Sequence, residues 1–355
     1  MIKHLFCSVA LIPLLTATGF GESAKPASLT ALEFGPEGIL FAADPKSAAV
    51  FALELGSGGK SSDLSKVDKI DAKIAALLGT KVDEIKINDL AVDPKSGAAY
   101  LSVSRGLGAD ATPVLVMVSG SELSVVDLAK TKSTHVKFSN APEDKVTGEG
   151  RRRRNKRMES ITDLAWLDGR LAIAGLSNEE FASTLRVADY PFTGSVGTTS
   201  LEIYHGAHGK EETHSPIRTF MPMDVGGEPN IVASYTCTPL VCIPLSELKP
   251  DKKVKGRTVA ELGNRNRPLD MFGYEKGGEK FILMANSSRG VMKVSTKDIA
   301  TIDSIAQRVS GTAGLTYETI ESWKGVVQLA KVDDGHAAII RNGEGGQSLE
   351  QVALP

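Results

Sequence analysis

The sequence predicts an all-β fold built from repeated sheets, and three observations support this prediction. Short apolar and β-branched runs are separated by Gly, Pro, Asp and Asn at regular spacing, as in strands joined by turns. A two-strand unit recurs along the chain. The chain has 355 residues, of which 41% are hydrophobic and 24% charged, so it has the composition and length to bury a large core.

The repeated unit consists of a strand, a tight turn and a second apolar strand. Three copies continue with a six-residue loop ("DPKSAA", "YTCTPL" or "ANSSRG") and a third strand. Six copies give a unit of about 54 residues, which suits four-stranded sheets arranged radially. We therefore predict a β-propeller with six blades, or seven as the alternative; a β-sandwich or a two-domain β protein is the competing arrangement. The copies begin at Thr30, Asn88, Thr162, Met223, Leu269 and Gln328.

In this rhythm of strands and turns the chain resembles bacterial secreted propellers of the YVTN and NHL-like type. The resemblance covers most of the chain after its N-terminal segment, and the strand spacing carries it rather than a signature motif. It implies a secreted propeller and names no specific family within that group.

One segment interrupts the β pattern and is predicted to be helical. Ser62 can cap the start of this helix and Gly79 can end it. We therefore expect one helical insertion at about 62–79. The apolar residues that recur there at helical spacing are Leu64, Val67, Ile70, Ile74 and Leu77.

The N-terminus has the pattern of a secretory signal peptide. Lys3 and His4 precede the apolar run "LFCSVALIPLL", which is followed by the small and polar residues "TATGFGESA". The apolar run is too short to span a membrane as a helix, and no later stretch is long enough either. We predict a signal peptide over 1–24, a single propeller domain over 25–355, and a soluble protein that is periplasmic or secreted. A buried N-terminal helix is the alternative.

Charge and motifs exclude several classes of function. The formal net charge is -2, so no overall field attracts nucleic acid or an anionic membrane. The sequence contains no G-x-S-x-G elbow, P-loop, H-E-x-x-H, βαβ dinucleotide fingerprint or C-x-x-C-H haem site. Aromatic residues make up only 5%, which disfavours a carbohydrate cleft of stacked rings. Recognition must therefore depend on local features.

The long loops fall on one face of the predicted propeller. Within a blade whose strands are A to D from the inside outward, the B–C and D–A loops surround the channel mouth, and we call this side the mouth face. The A–B turns on the opposite face are short, whereas the mouth face carries the unusual loops. Such asymmetry is typical of a binding or catalytic face. These loops are 104–113, 151–157, 177–184, 205–214, 236–240 and 264–270.

The stretch "EIYHGAHGKEETH" (202–214) holds three of the six histidines and predicts a metal site. His205 continues an apolar strand face, and His208 follows a Gly-Ala pair that lets the chain turn back. The Cys237 loop belongs to the next blade and opens on the same face. Two imidazoles and a thiolate suit copper or zinc. Surface or structural histidines are the alternative. The residues that could complete the ligand shell are Glu211, Glu212 and His214.

The cysteines allow a competing interpretation. Cleavage of the signal peptide removes Cys7 and leaves Cys237 and Cys242. In an oxidising compartment, two cysteines that flank "TPLV" between antiparallel strands predict a disulfide. That bond would remove Cys237 as a thiolate ligand.

Four aspartates near the start of the repeated inner strand predict a ring of carboxylates in the channel. Gln328 takes this place in the sixth copy, and Arg265 and Arg267 lie in the nearby loop. Carboxylates at close range repel one another unless a cation lies between them, so we expect these arginines or a calcium ion as their partner. We expect the substrate of this channel mouth to be a polar small molecule. Alternatively, each aspartate fixes the turn of its own blade by accepting backbone N–H groups. The four are Asp89, Asp163, Asp224 and Asp270.

The run "RRRRNKR" from Arg151 to Arg157 concentrates positive charge in one loop. It predicts a docking site for an acidic partner or a protease-sensitive segment, with a solvated loop as the alternative. No aromatic residues are interleaved, so it lacks the stacking platform of a single-strand nucleic-acid site.

Two functional hypotheses follow from these patterns. In the first, an exported propeller holds copper or zinc on the mouth face and acts as a redox or hydrolytic enzyme on a polar small molecule. In the second, a non-catalytic propeller binds an exported protein or a small ligand through the same face. The fold hosts both classes, so it does not decide between them.

Overall fold

The computed structural model describes residues 22–56, 64–150, 153–194 and 196–355. The predicted all-β class is confirmed, because strands form nearly all of the regular structure and α1 (Ile70–Leu77) is the only α-helix in these ranges. Among the described residues, no helix combines the length and hydropathy that a membrane crossing requires. Residues 1–21 and Arg151 and Arg152 lie outside the described residues.

Short strands follow one another along the whole described chain. The first group is β1 (Glu22–Ser23), β2 (Leu32–Phe34), β3 (Ile39–Asp44), β4 (Ala49–Glu54), β5 (Ile85–Val92), β6 (Ala99–Arg105), β7 (Thr112–Ser119), β8 (Glu122–Val125), β9 (Lys132–Lys137), β10 (Val146–Thr147) and β11 (Arg154–Asn155). The second group is β12 (Asp163–Trp166), β13 (Arg170–Leu176), β14 (Ser183–Asp189), β15 (Gly197–His205), β16 (Lys210–Glu212), β17 (Thr219–Val225), β18 (Glu228–Ser234), β19 (Pro239–Pro244), β20 (Lys252–Leu262), β21 (Pro268–Lys276), β22 (Glu279–Asn286), β23 (Gly290–Ser295), β24 (Thr312–Gly314), β25 (Tyr317–Thr319), β26 (Val326–Lys331), β27 (His336–Gly343) and β28 (Gly346–Ala353). Short 3-10 turns lie at Pro36–Gly38, Val82–Glu84, Gly108–Asp110, Lys156–Glu159, Leu245–Glu247 and Glu321–Trp323.

Six antiparallel sheets surround a central channel, as in the predicted β-propeller. The short strands β10 and β11 pair only with each other, and β16 and β24 pair with β15 and β20. Sheet I contains β2, β3, β4 and β9 with β1 at its edge; sheet II contains β5 to β8; sheet III contains β12 to β15; sheet IV contains β17 to β20; sheet V contains β21, β22, β23 and β25; sheet VI contains β26 to β28. Sheets III and IV are also joined at their outer edges, where β15 pairs in parallel with β20.

The order of sheets around the ring differs from their order in the chain. The inner strands contact one another in the closed order β5, β2, β12, β17, β21, β26 and back to β5. Sheet I therefore lies between sheets II and III. Its outer strand β9 pairs with β4 but follows the whole of sheet II in sequence. Sheet VI closes the ring against sheet II.

The hydrophobic core fills the spaces between neighbouring sheets. Phe41 and Leu171, both fully buried, pack between sheets I and III. Leu101 and Ile340 do the same between sheets II and VI. Because both faces of these strands are covered, runs such as "ILFAAD" are buried throughout and do not alternate. Each large aliphatic side chain buried in this way contributes about 1.5–3 kcal/mol.

The helical insertion is confirmed but shorter than predicted. The helix α1 begins directly after Lys69, whose φ of 53° is left-handed, and Gly79 (φ 63°) follows its end as expected. Val67 lies before the helix, in extended chain, and forms an isolated bridge with Leu349. Pairing with sheet VI therefore overrides the local helical pattern in this part. The proposed cap Ser62 lies outside the described residues.

Only the end of the predicted signal peptide lies within the described residues. Glu22 and Ser23 form β1, which pairs with Ser133 and Lys132 of β9. Ala24 is buried against sheets I and II. The signal peptide over 1–24 and the domain over 25–355 remain predictions.

Candidate metal centre

Two histidines and a cysteine come together on the mouth face at the junction of sheets III and IV. The potential ligand atoms of His205, His208 and Cys237 lie within 4.8 Å of one another. Within the described ranges, this is the one group of three or more His, Cys, Asp or Glu residues close enough to hold a metal ion. We call it the His/Cys cluster.

The alternating side-chain directions along β15 turn His205 toward the interior. Leu201 and Ile203 are buried on one face of the strand, and His205 continues that face with only 2% of its surface exposed. The predicted inward orientation of His205 is thus confirmed. The backbone N–H groups of His208 and Gly209 then donate to the His205 carbonyl at 3.1 and 2.8 Å, which closes a tight turn. This turn brings the second imidazole back over the first, with ring centroids 3.9 Å apart.

The turn that carries Cys237 brings the third donor from sheet IV. Cys237 has a left-handed φ of 68° in the connection between β18 and β19. Its backbone N–H donates to the Asn266 carbonyl at 2.9 Å, which ties the turn to the loop between sheets IV and V. The thiol therefore faces the histidines from the neighbouring sheet.

Glu212 orients both imidazoles. The Nδ1–H of His205 donates to Glu212 Oε2 at 3.0 Å, and the Nδ1–H of His208 donates to Oε1 at 2.6 Å. Since an ionised carboxylate only accepts hydrogen bonds, this network assigns the protons to Nδ1 and leaves each Nε2 lone pair free for a metal ion. The predicted ligand Glu212 thus contacts the two histidines instead of joining the cluster.

The electrostatics of Glu212 fit this orienting position. Burial alone raises the pKa of Glu212, but the hydrogen bonds from His205 and His208 outweigh it and lower the pKa to about 2. The carboxylate is therefore charged throughout the physiological range. On the other side of the ring, His205 Nε2 is buried and has no hydrogen-bond partner within the described residues. Buried polar atoms without a hydrogen bond are rare in folded proteins, and a bound ligand would satisfy this one.

Two of the predicted ligands lie apart from the cluster. The His214 ring hydrogen-bonds the neighbouring Thr213 hydroxyl at 2.8 Å on an exposed segment. Glu211 forms a surface ion pair with Lys255 at 2.6 Å. Neither side chain belongs to the His/Cys cluster.

The predicted disulfide is wrong, because both cysteines are free thiols. We expected Cys237 and Cys242 to face each other across a hairpin. The turn instead ends before Pro239, so Cys242 lies in the middle of β19, paired with Val232. Burial raises the pKa of the Cys242 thiol to about 11, although the nearby Arg257 acts in the opposite direction. Cys237 is thus available as a ligand.

Glu261, which no sequence pattern marks, lies beside the cluster. Glu261 is fully buried on β20, and its Oε1 accepts the backbone N–H of Gly206 at 2.5 Å. Its Oε2 is buried and has no partner within the described chain. Burial raises the pKa of Glu261, while the nearby His205 acts in the opposite direction. A β-carbon at Gly206 would lie only 3.1 Å from this side chain, so the missing side chain at Gly206 permits the approach.

Three of the four predicted aspartates line the channel and fasten neighbouring sheets together. In each, Oδ2 accepts a backbone N–H from the inner strand of the next sheet, and Glu33 acts in the same way on Trp166 at 2.9 Å. These bonds cross between sheets, and Oδ1 of Asp163 also accepts the Leu164 N–H of its own strand at 2.9 Å, so contacts within a blade and between blades occur together. The bonds join Asp89 to Leu32 at 2.7 Å, Asp163 to Phe220 at 2.9 Å, and Asp270 to Leu329 at 2.7 Å.

Asp224 does not belong to this ring. It lies near the far end of β17, where its Oδ1 accepts the Gly227 backbone N–H at 3.0 Å in the turn. The motif "MDV" resembles the other copies, but β17 already begins at Thr219, and Thr219 faces Ser234 at the start of the hairpin. Asp224 therefore lies at the opposite end of its strand from the place that the repeat predicts.

The channel carboxyls hold their protons unusually tightly. Burial raises the pKa values of Asp163 and Glu33 to about 7. Burial and the charges of neighbouring carboxylates raise the pKa values of Asp89 and Asp270 well above their usual range. These aspartates border a cavity of about 90 Å³ on the mouth side and one of about 360 Å³ that reaches Lys331. No calcium-type group of acidic residues is found within the described ranges.

The arginines of the mouth lie next to the His/Cys cluster. Arg218 forms an ion pair with Glu159 at 2.8 Å, and its Nε donates to the hydroxyl of Thr236, which precedes Cys237. Burial and the charge of Arg218 lower the pKa of Arg267. Arg265 is exposed, with a left-handed φ of 57°. Neither Arg265 nor Arg267 is among the groups that shift the pKa values of the channel aspartates.

The described part of the arginine run is anchored. Arg154 approaches Glu159 at 4.0 Å, and the Arg157 Nε donates to the Pro142 carbonyl at 2.5 Å. The acidic partner expected for residues 151–157 remains a prediction.

Comparisons with known proteins show only distant similarity. No family model matches the sequence, and no curated protein matches it. Among solved structures, Drosophila semaphorin 1b extracellular domains 1–2 aligns at 9% identity over 94% of this chain and 86% of its own, with a TM-score of 0.40. The PQQ-bound aldose sugar dehydrogenase of Streptomyces coelicolor aligns at 10% identity over 96% and 98%, with a TM-score of 0.39. The plexin A4 extracellular region aligns at 10% identity over 94% of this chain and 40% of its own, with a TM-score of 0.42. Similarity at this level says nothing about function.

Proposed function

We propose that this chain is an exported β-propeller that binds one copper or zinc ion through His205 Nε2, His208 Nε2 and Cys237 Sγ. The observation that carries the proposal is the convergence of three donor atoms within 4.8 Å, drawn from two sheets. The orientation of both imidazoles by one carboxylate supports it, because metal-bound histidines are usually held in this way.

The donor set favours these two metals. Imidazole nitrogen and thiolate sulfur are soft or borderline ligands, which suit zinc and copper and disfavour magnesium or calcium. Three protein ligands leave one position of a tetrahedral ion to be filled. A substrate or water in that position would give the redox or hydrolytic enzyme of our first hypothesis, whereas a fourth protein ligand would give a structural centre.

Elemental analysis tests the proposal directly. The protein is purified without a histidine tag, incubated with copper or zinc and dialysed, and the metal content is measured. We expect one ion per chain in the wild type and a loss of binding in His205→Ala, His208→Ala and Cys237→Ser. His336→Ala is the matched control, because His336 lies on β27 in an exposed pair with Asp333. A folded wild-type protein that retains neither metal would refute the proposal.

A second candidate function is the binding of an acidic ligand on the same face without catalysis. Within the described residues, Arg267 and Lys86 form no ion pair, although burial and the charge of Arg267 lower the pKa of Lys86. Unpaired cations on an exposed surface attract anions, and the affinity of such binding falls as salt rises. A fluorescent polyglutamate peptide should bind more weakly to Arg267→Gln at low salt, with Arg341→Gln as the control on sheet VI. Equal binding by both variants would exclude this function.

Export also belongs to the proposal. The pattern of residues 1–24 supports a cleaved signal peptide. N-terminal sequencing of protein recovered from the periplasm or medium should begin near the end of this segment. A full-length chain retained in the cytoplasm would contradict export.

A further inference from the structure

Among the residues that the structure describes, two buried polar atoms near the His/Cys cluster find no hydrogen-bond partner, and they belong to different sheets. His205 Nε2 comes from sheet III and Glu261 Oε2 from sheet IV. Both side chains are almost fully buried, at 2% and 0% exposure. A buried carboxylate oxygen or imidazole nitrogen without a hydrogen bond costs free energy, so a shared ligand between the two sheets would satisfy both atoms.

The backbone places Glu261 between the two loops that carry the His/Cys cluster. On one side, its Oε1 accepts the N–H of Gly206, the residue after His205. On the other side, Glu261 pairs with Pro239 in the β19–β20 register, two residues after Cys237. The next residue on β20 donates its N–H to the Thr238 carbonyl at 3.1 Å. Glu261 is thereby fixed next to both loops.

We propose that Glu261 Oε2 is the fourth ligand of the metal ion and closes the site as a His2CysGlu centre. This inference rests on the proposed function. The carboxylate is not among the atoms within 4.8 Å of one another, so metal binding draws Oε2 inward by rotation of the side chain.

A closed centre gives the metal a structural role. Four protein ligands in a tetrahedral arrangement leave no position for substrate, and such sites contribute directly to folding stability. Here the ion would link the end of β15 to the end of β20, beyond the point where those two strands pair in parallel. The metal would therefore fasten sheets III and IV to each other at the mouth face.

Cobalt substitution and an exogenous anion test the coordination number. In the wild type loaded with Co²⁺, we expect the intense visible bands of a four-coordinate ion and no spectral change on addition of azide, since no position is open. In Glu261→Gln the band pattern should change, azide should bind, and the affinity for Zn²⁺ should fall at least about 10-fold. Glutamine keeps an oxygen that can accept the Gly206 N–H, so the turn is preserved.

A matched control separates the ligand from a general effect of charge. Glu211→Gln removes a carboxylate that lies three residues after His208 and pairs with Lys255 on the surface, and it should leave the cobalt spectrum unchanged. A wild-type spectrum that shifts with azide would overturn the closed site even if Glu261→Gln failed to fold. If Glu261→Gln bound metal with the wild-type spectrum and affinity, the assignment of Glu261 as fourth ligand would be wrong, but the proposed function would stand. If the wild type bound no metal, both the proposed function and this inference would be wrong.

Discussion

Replacement of Asp163 by asparagine tests whether the channel carboxyls make the propeller less stable as pH rises. Asp163 accepts the Phe220 N–H at 2.9 Å across the interface between sheets III and IV. Burial raises the pKa of this carboxyl to about 7. Asparagine keeps one oxygen for the Phe220 N–H and carries no charge, but its NH2 group replaces the Oδ1 that accepts the Leu164 N–H at 2.9 Å. The substitution therefore lowers the stability at every pH, and the readout is the pH dependence of the stability rather than its absolute value.

The sign of the effect follows from proton binding. An aspartate in the unfolded chain has a pKa near 3.9, so between about pH 4 and about pH 7 the folded state binds more protons than the unfolded state. The free energy of unfolding therefore falls as pH rises through this window and levels off above it. At about 1.4 kcal/mol per pH unit, we expect the wild type to lose about 2–3 kcal/mol between pH 5 and 8 through this group.

Urea denaturation near pH 5 and near pH 8, at constant ionic strength, measures this difference. Asp163→Asn should lose about 2–3 kcal/mol less than the wild type over that interval, because the titrating group is gone. Asp224→Asn serves as the control, since Asp224 lies in a turn outside the carboxylate ring. If the wild type were as stable near pH 8 as near pH 5, or if Asp163→Asn kept the full pH dependence, the reasoning would be wrong.

Three further substitution and labelling experiments probe the packing and the thiols. A β-carbon at Gly175 would lie 2.1 Å from a backbone oxygen, so Gly175→Ala should lower the free energy of unfolding by about 3 kcal/mol. A β-carbon at Gly194 would meet no atom within 4 Å, so the control Gly194→Ala should change this free energy by less than about 0.5 kcal/mol. Arg186 is fully buried and donates to two backbone carbonyls, so Arg186→Met should cost about 2–4 kcal/mol in thermal unfolding. A maleimide near neutral pH should label Cys237 in the native protein and reach Cys242 only after unfolding.

Each of these three experiments has an outcome that would contradict its prediction. Equal stability of the two glycine variants would mean that the chain near Gly175 relaxes freely. A loss below about 0.5 kcal/mol in Arg186→Met would mean that the carbonyls find water instead. Failure to label either cysteine in the unfolded, unreduced protein would reveal a disulfide.

The features that the sequence predicts correctly depend on short-range periodicity. The period of two along "SLEIYH" places Leu201, Ile203 and His205 on one buried face, and the structure has all three there. The recurring strand pairs appear as the inner hairpins of the six sheets for the same reason. Both predictions are correct because each depends on a pattern within a few consecutive residues.

The features that were missed depend on contacts between distant strands. Glu261 is one acidic residue near the end of the mixed strand β20, and only the approach of β20 to the Gly206 turn shows its contact with the site. Asp224 has the right neighbours but the wrong position in β17, which is fixed by pairing with β18. The spacing of Cys237 and Cys242 fits a hairpin as well as a turn followed by a strand. Local sequence cannot distinguish such cases.

The placement of sheet I between sheets II and III has a consequence for how the protein assembles during synthesis. Sheet II lies wholly between β4 and β9, so sheet I lacks its outer strand until Lys132–Lys137 have been made. The first two blades therefore form one nested folding unit, with many contacts between residues far apart in sequence, and this slows their formation. Sheets III to VI follow in chain order, and Gln328 finally donates its side-chain amide to the Asn88 carbonyl at 2.8 Å. The last sheet made thus completes the molecule by docking on the second sheet rather than on the first.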